Sequence, residues 1–385
     1  MNLSLFLEFL SIPNIELFQK NNPLGETVQF LREENTDWQE AEVAIITVPE
    51  YRISDNDEGF EVQCIGKLRQ SLYALTKLSK PCKIVDLGNL RLANTLETTT
   101  FRLKEVCEML IAHDTLPLII GGAHYLDYGQ FMAYENLEKI VSVLNIDAKV
   151  DLKIEGTENT NENHIHKILV HHPNFLFEYA QLGHQRYLVN PQVLNTLKKL
   201  NYDTLSIGQI RDSLKEMEPI IRSADMLSFD LSALKIPYGN RQSTPFGLTG
   251  EEATQMCWYA GLNDKLSSAG FYGLDEQSER NALNAETLAV MLWYFLEGFA
   301  HRKAEYSFKS NFHVKYTVAL GKDMNDMVFY KSKITEKWWM EVATEKDAKE
   351  RLNRAAVIPC SYEDYEIALK GIVPDRWIRA IEKFS

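Results

Sequence analysis

The chain is poor in the features that lead to a membrane, a nucleic acid or an oxidising compartment. None of its 385 residues falls in an apolar run long enough to cross a bilayer, which takes about 20 positions. The opening stretch from Met1 to Leu10 is apolar but short, lacks a basic leader and is interrupted by Glu8, so it reads as an amphipathic segment and not as a signal peptide. Positive charge is also in deficit. Lys and Arg total 41 against 54 Asp and Glu, a net charge of −13, which weighs against a phosphate-backbone ligand. The five cysteines, Cys64, Cys82, Cys107, Cys257 and Cys360, are odd in number and scattered, with no Cys-x-x-Cys pair. That excludes a disulfide framework or a thiolate zinc site and suits reduced, mostly buried thiols in a cytoplasmic protein. There is no internal repeat and no low-complexity tract. No nucleic-acid or membrane partner is expected.

What is present is a series of apolar strands that end in chemistry-bearing residues. The run from Ile140 to Ile146 feeds into Asp147 and Asp151, two acids four positions apart. Leu116 to Ile120 ends in Gly121-Gly122-Ala123-His124, and Ala224 to Phe229 ends in Asp230. Apolar runs of this length, bounded by polar residues, read as buried parallel strands. Ligands of open α/β sheets gather beyond the carboxyl ends of such strands. His124, Asp147, Asp151 and Asp230 together form a mixed nitrogen and oxygen set that suits Mn, Fe or Zn. Without a cation, three converging carboxylates repel and at least one takes up a proton.

In order and spacing, these segments resemble the ureohydrolase family of arginases, agmatinases and formimidoylglutamases. That family carries Gly-Gly-Asp-His, Asp-Ala-His-x-Asp and Ser-x-Asp-x-Asp. Here the segments read Gly121-Gly122-Ala123-His124, Asp147-Ala148-Lys149-Val150-Asp151 and Ser228-Phe229-Asp230-Leu231-Ser232. The resemblance implies two manganese sites. Residues matching the more buried site, His124, Asp147, Asp151 and Asp230, are all kept. The residues peculiar to the second site are replaced by Lys149 and Ser232. One ion is therefore expected more readily than two, with none as the alternative. The Lys149 ammonium could stand in for the missing cation beside Asp147 and Asp230, or be an ordinary solvated lysine at a loop start. Counted on from Asp151, His164 falls where arginases carry a proton-shuttling histidine. A solvated loop histidine is the plainer reading of it. Asp275 or Glu276 falls where the family places a carboxylate facing the substrate's amidine.

Along the chain, strands are expected at Glu42–Val48, Lys83–Leu87, Phe175–Val189, Thr204–Gly208 and Ser267–Leu274 besides the three above. Helices are expected at Ile65–Leu78, Thr100–His113, Tyr125–Asn136 and Glu286–His301. Alternating strands and helices imply an α/β, three-layer arginase-like fold, with a parallel sheet of about eight strands and helices on both faces. Thr249 and Glu252 suit a helix-starting capping box. Arg52, in the loop after the first strand, could hold a substrate carboxylate, although an exposed salt bridge is the simpler role. Leu182-Gly183-His184-Gln185-Arg186 resembles a family segment but lacks the acid that orients an amino-acid substrate in arginase. The chain divides into a domain at 1–304 and a small C-terminal α+β appendage at 305–385. In the appendage, strands are expected at His313–Leu320, Met327–Lys333 and Trp338–Val342, then a charged helix from Thr344 and a last helix capped by Ser361 and Asp364.

Three functions compete at this point. One is metal-assisted hydrolysis of a linear amidine C–N bond in a small molecule, of formimidoylglutamase or agmatinase type. Another is a catalytically inactive ureohydrolase-fold protein acting as a binding or assembly module. The third, a single-zinc deacetylase, is disfavoured because its metal position matches the dismantled one. Family likeness implies a homo-oligomer.

Overall fold

The computed structural model describes residues 3–32, 37–52, 64–137, 139–153, 161–240, 242–274, 281–305, 311–320, 326–342 and 357–384. They fall into two compact units, one of residues 1–212 with 224–302 and one of residues 213–223 with 303–385. Residues 213–223, read from sequence as part of the first domain, thus pack with the second unit.

The first unit holds a ten-stranded sheet. Its strands are β1 (Leu7–Glu8), β2 (Val28–Phe30), β3 (Val43–Val48), β4 (Ile84–Leu90), β5 (Leu116–Gly121), β6 (Val141–Ile146), β7 (Leu176–His184), β8 (Asp203–Ser206), β9 (Met226–Asp230) and β10 (Ser268–Tyr272). The order is β1-β4-β3-β5-β10-β9-β6-β7-β8, with β2 also on β4. Every pairing is parallel except that of β1 with β4. The eight strands expected from sequence are all there. The other two, β1 and β2, are too short to show a period of two.

Every residue of β3, β5, β6, β9 and β10 is buried, so both sheet faces are covered, as the unbroken apolar runs require. The helix Leu96–Ala112 shows how a cover forms. The Thr95 hydroxyl accepts from the Thr98 N–H at 3.1 Å, which caps its start. Leu103, Val106, Cys107, Leu110 and Ile111 recur at helical spacing and are buried. Asp114, at φ 57°, then turns the chain into β5. The capping box at Thr249 and Glu252 is formed, opening the helix Gly250–Gly261. The helix expected over Ile65–Leu78 is shorter, Cys64–Tyr73. The last expected helix of this unit is longer, Asn281–Ala300.

The functional geometry follows from register. Tyr272 pairs with Asp230, Phe271 with Ile120, and Ile146 with Phe229. The carboxyl ends of β5, β10, β9 and β6 are therefore level, and the segments that leave them meet.

The second unit is an antiparallel sheet of β11 (His313–Val318), β12 (Met327–Ser332), β13 (Trp338–Glu341) and β14 (Val357–Cys360) in sequential order. Val318, Met327, Phe329, Trp338, Met340, Cys360 and Ala368 form its core. Arg222, from the helix Met217–Ser223, lies over the Trp339 ring at 4.5 Å and donates to the Trp338 carbonyl at 2.9 Å. Both tryptophans are thus packing residues. Ser361 and Asp364 make their capping box, but a further helix, Asp375–Phe384, follows. The charged helix expected from Thr344 lies outside the described residues.

Candidate metal centre

Three turns bring the site together, and each has a local reason. After β5 the backbone must pass where no side chain fits. A Cβ on Gly122 would lie 2.4 Å from the Glu50 carbonyl oxygen, and one on Gly121 would lie 2.6 Å from the Tyr272 ring. The double glycine lets the chain through and delivers His124, whose ring sits 5.5 Å from that of Tyr272. After β6, the Asp147 carboxylate accepts from the Lys149 N–H at 3.1 Å. The buried Gln181 amide holds the same turn from β7, donating to the carbonyls of Asp147 at 3.3 Å and Lys149 at 2.9 Å. After β9, Asp230 Oδ1 accepts from the Ser232 N–H at 2.6 Å and from Asn240 Nδ2 at 3.4 Å.

His124 lies among the carboxylates. Its Nδ1 stands 3.3 Å from Asp230 Oδ2, 3.5 Å from Asp147 Oδ2 and 3.9 Å from Asp151 Oδ2. That nitrogen is buried and has no hydrogen bond of ordinary geometry. Donor atoms of His124, Asp147 and Asp151 all lie within 4.8 Å of one another. One imidazole nitrogen and three carboxylates converging on a buried point form a donor set a divalent ion fits. The far side of the ring is tied down. His124 Nε2 is 2.9 Å from Ser228 Oγ, and the Ser228 hydroxyl donates to Asp127 Oδ2 at 3.1 Å. Asp127 Oδ1 in turn lies 2.8 Å from His164 Nδ1, and His164 Nε2 faces Asp151 Oδ2 at 3.4 Å.

The crowding splits the acids apart. Burial alone would raise Asp147, but His124, the Lys149 N–H and the Ser232 hydroxyl hold it down at about 2. Burial and the charge of Asp147 push Asp151 up to about 6, against the pull of His164 and His124. Burial raises Asp230 as well, with His124 opposing. Burial would lower His164, yet Asp127 and Asp151 raise it to about 10. His124 is pulled down by burial and by His164 and up by Asp230, Asp147 and Asp127, and the acids prevail.

His124, Asp147, Asp151 and Asp230 are thus brought together as their strand ends suggested. His164 joins them. It opens the helix His164–Leu169 and is fully buried, not solvated, because Asp127 and Asp151 bind it from both sides. Lys149 does not stand in for a cation. Among the described residues it forms no ion pair with Asp147 or Asp230; residue 149 is partly exposed, and its charge is felt by Glu162. Ser232 donates its hydroxyl to Asp147 Oδ1 at 2.8 Å. Arg52 is buried and not exposed. Its Nε bonds Glu50 at 2.9 Å, and its Nη atoms bond the carbonyls of Ala93 and Asn94 at 2.8 and 3.0 Å. Asp275 and Glu276 lie outside the described residues. Asp127 was missed. Its signal was the i, i+3 spacing from His124, which places both on one side of a helical turn.

A strand-end donor set on a parallel sheet of this kind defines an arginase-like α/β protein. The arginase family model matches residues 53–275, and the chain belongs to that family. A formimidoylglutamase from Chromobacterium violaceum is 25% identical over 224 residues, which cover 54% of this chain and 72% of that protein. Among solved structures, Trypanosoma cruzi formiminoglutamase with Mn2+ superposes with a TM-score of 0.64 at 19% identity, covering 73% of this chain and 99% of that one. Bacillus subtilis formimidoylglutamase gives a TM-score of 0.60 at 21% identity, covering 68% and 87%. At these identities the structural likeness establishes the fold.

Proposed function

We propose that the chain is a metal-dependent hydrolase of a linear amidine C–N bond, working with one manganese ion. The observation that carries this is the unpartnered Nδ1 of His124, buried and facing three carboxylates. His124, Asp147, Asp151 and Asp230 would hold the ion. When bound, a divalent cation would supply Lewis-acid activation of water. His164 would hold a proton at Nε2, oriented from its other side by Asp127, and deliver it to the departing nitrogen. Asp275 or Glu276 would face the planar cation of the substrate. Formimidoylglutamate is the first substrate to test, since relatives bear formimidoylglutamase names, with agmatine second.

One observation favours a second reading, a catalytically inactive binding or assembly module. The Ser232 hydroxyl and the Lys149 backbone already occupy Asp147 on the side where a second cation would need it. Metal content separates the two. Protein purified without chelator and reloaded with manganese should hold about one ion per chain, lost in Asp147→Ala. The loaded protein should then hydrolyse formimidoylglutamate. An absence of bound manganese at all loadings would leave the module reading.

A further inference from the structure

We infer that Asp127, acting through Ser228, sets which nitrogen of His124 carries its proton, and so aims the ring's lone pair at Asp147, Asp151 and Asp230. The inference follows from counting hydrogens. Asp127 is fully buried and, as a carboxylate, only accepts. Its Oδ2 takes the hydroxyl hydrogen of Ser228 at 3.1 Å. Ser228 has no second hydrogen to give. The 2.9 Å contact between Ser228 Oγ and His124 Nε2 must therefore be made by the ring's own N–H. A neutral imidazole has one N–H, so Nδ1 is left as a lone pair. The reverse arrangement, with Ser228 donating to the ring, would strand a buried carboxylate oxygen without a donor.

Asp127 does the same for its other neighbour. Its Oδ1 accepts from His164 Nδ1 at 2.8 Å, which leaves His164 Nε2 toward Asp151. One buried acid thus orients both rings without facing the converging carboxylates itself. A lone pair opposed to three acceptors is poorly placed in an empty protein and well placed around a cation. The link of this relay to metal affinity rests on the metal-dependent reading above; the proton position does not. Asp127 and Ser228 are positioning residues. Partners that fix the tautomer of a ligating histidine typically change metal affinity by about 10- to 100-fold.

Asp127→Asn tests this with almost no change of shape. Ser228 and His164 meet different oxygens of Asp127, and Asn puts an NH2 donor in place of one of them, so at least one ring must exchange its proton position. Ser228→Ala breaks the link outright, whereas Ser228→Thr keeps the hydroxyl. The readouts are imidazole 15N spectra of the full metal-free chain, at alkaline pH where the rings are neutral, and manganese affinity by competition with a chelating dye. In the unaltered chain His124 should carry its proton on Nε2. Asp127→Asn and Ser228→Ala should alter the 15N pattern and weaken manganese binding by about 10- to 100-fold, and Ser228→Thr should restore both. A proton on Nδ1 of His124 in the unaltered chain would overturn the inference, as would an Asp127→Asn protein with unchanged spectra. The expected proton position in a chain that binds no metal would uphold the relay and remove the metal-dependent reading instead.

Discussion

The two sides of the acid cluster differ in what their polar atoms are doing. On the His124 side, a buried nitrogen and carboxylate oxygens stand 3.3 to 3.5 Å apart with no hydrogen bond of ordinary geometry between them. On the Ser232 side, the same acids are already satisfied. Asp147 Oδ1 takes the Ser232 hydroxyl and the Lys149 N–H, and Asp230 Oδ1 takes the Ser232 N–H. The first side is under electrostatic stress that a cation would relieve, and the second has relieved itself with neutral donors. One serine, through its hydroxyl and its N–H, thus supplies both acids on that side with neutral donors.

The largest expected effect comes from erasing the difference. Lys149→His with Ser232→Asp removes the competing hydroxyl and supplies an imidazole and a carboxylate. Manganese content should rise from about one ion per chain toward about two, read by elemental analysis after desalting. If content stays where it was, the second side is closed by more than these two residues. Next comes the backbone that holds the first side. Gly122→Ala places a methyl group against the Glu50 carbonyl, so stability should fall by about 3 kcal/mol, read by urea unfolding, with metal affinity falling alongside. A loss below 1 kcal/mol would mean that the turn after β5 gives way easily.

A smaller effect concerns charge on the first side. Asp151 is raised to about 6 in the folded chain, above its ordinary value near 3.9. The folded form therefore keeps a proton that the unfolded form has lost over roughly pH 4–6. That contribution is complete below the window and disappears as pH rises through it. Metal-free protein should lose stability from pH 4 to 6 on this account. Asp151→Asn should flatten the slope and raise stability at pH 7 by about 1–3 kcal/mol, while weakening manganese binding. A variant curve as steep as the original, measured in chelator, would assign the slope to other groups.

How much of this could be read from the sequence depended on whether a residue's role is set by its strand or by its neighbours in space. His124, Asp147, Asp151 and Asp230 follow unbroken apolar runs, and the rule that parallel strands deliver ligands at their carboxyl ends places them. Asp127 is easily passed over for the opposite reason, its spacing from His124 being its one signal. It looks like an ordinary acid in the first turn of a helix, and its partners Ser228 and His164 are 101 and 37 residues away. Lys149 stays open between a stand-in cation and a solvated lysine in the sequence because a position does not say which way a long side chain leaves a turn. Arg52 reads as a surface residue in sequence because the carbonyls of Ala93 and Asn94 that receive it belong to a distant loop. Strand β14 went unread because Pro359 sits in it. Proline is tolerated there because β14 is an edge strand.

The edges of the large sheet have a consequence of their own. One flank, β4, is sealed in two pieces that run in opposite directions. β2 covers Ile84 to Asp86 and β1 covers Asn89 and Leu90. The other flank ends in the four residues of β8. Among the described residues, neither border offers a long row of free amides for another chain to zip onto, a device that guards sheets against forming fibres. Among the described residues, copies of this chain that associate would thus not extend the large sheet, which stops at ten strands.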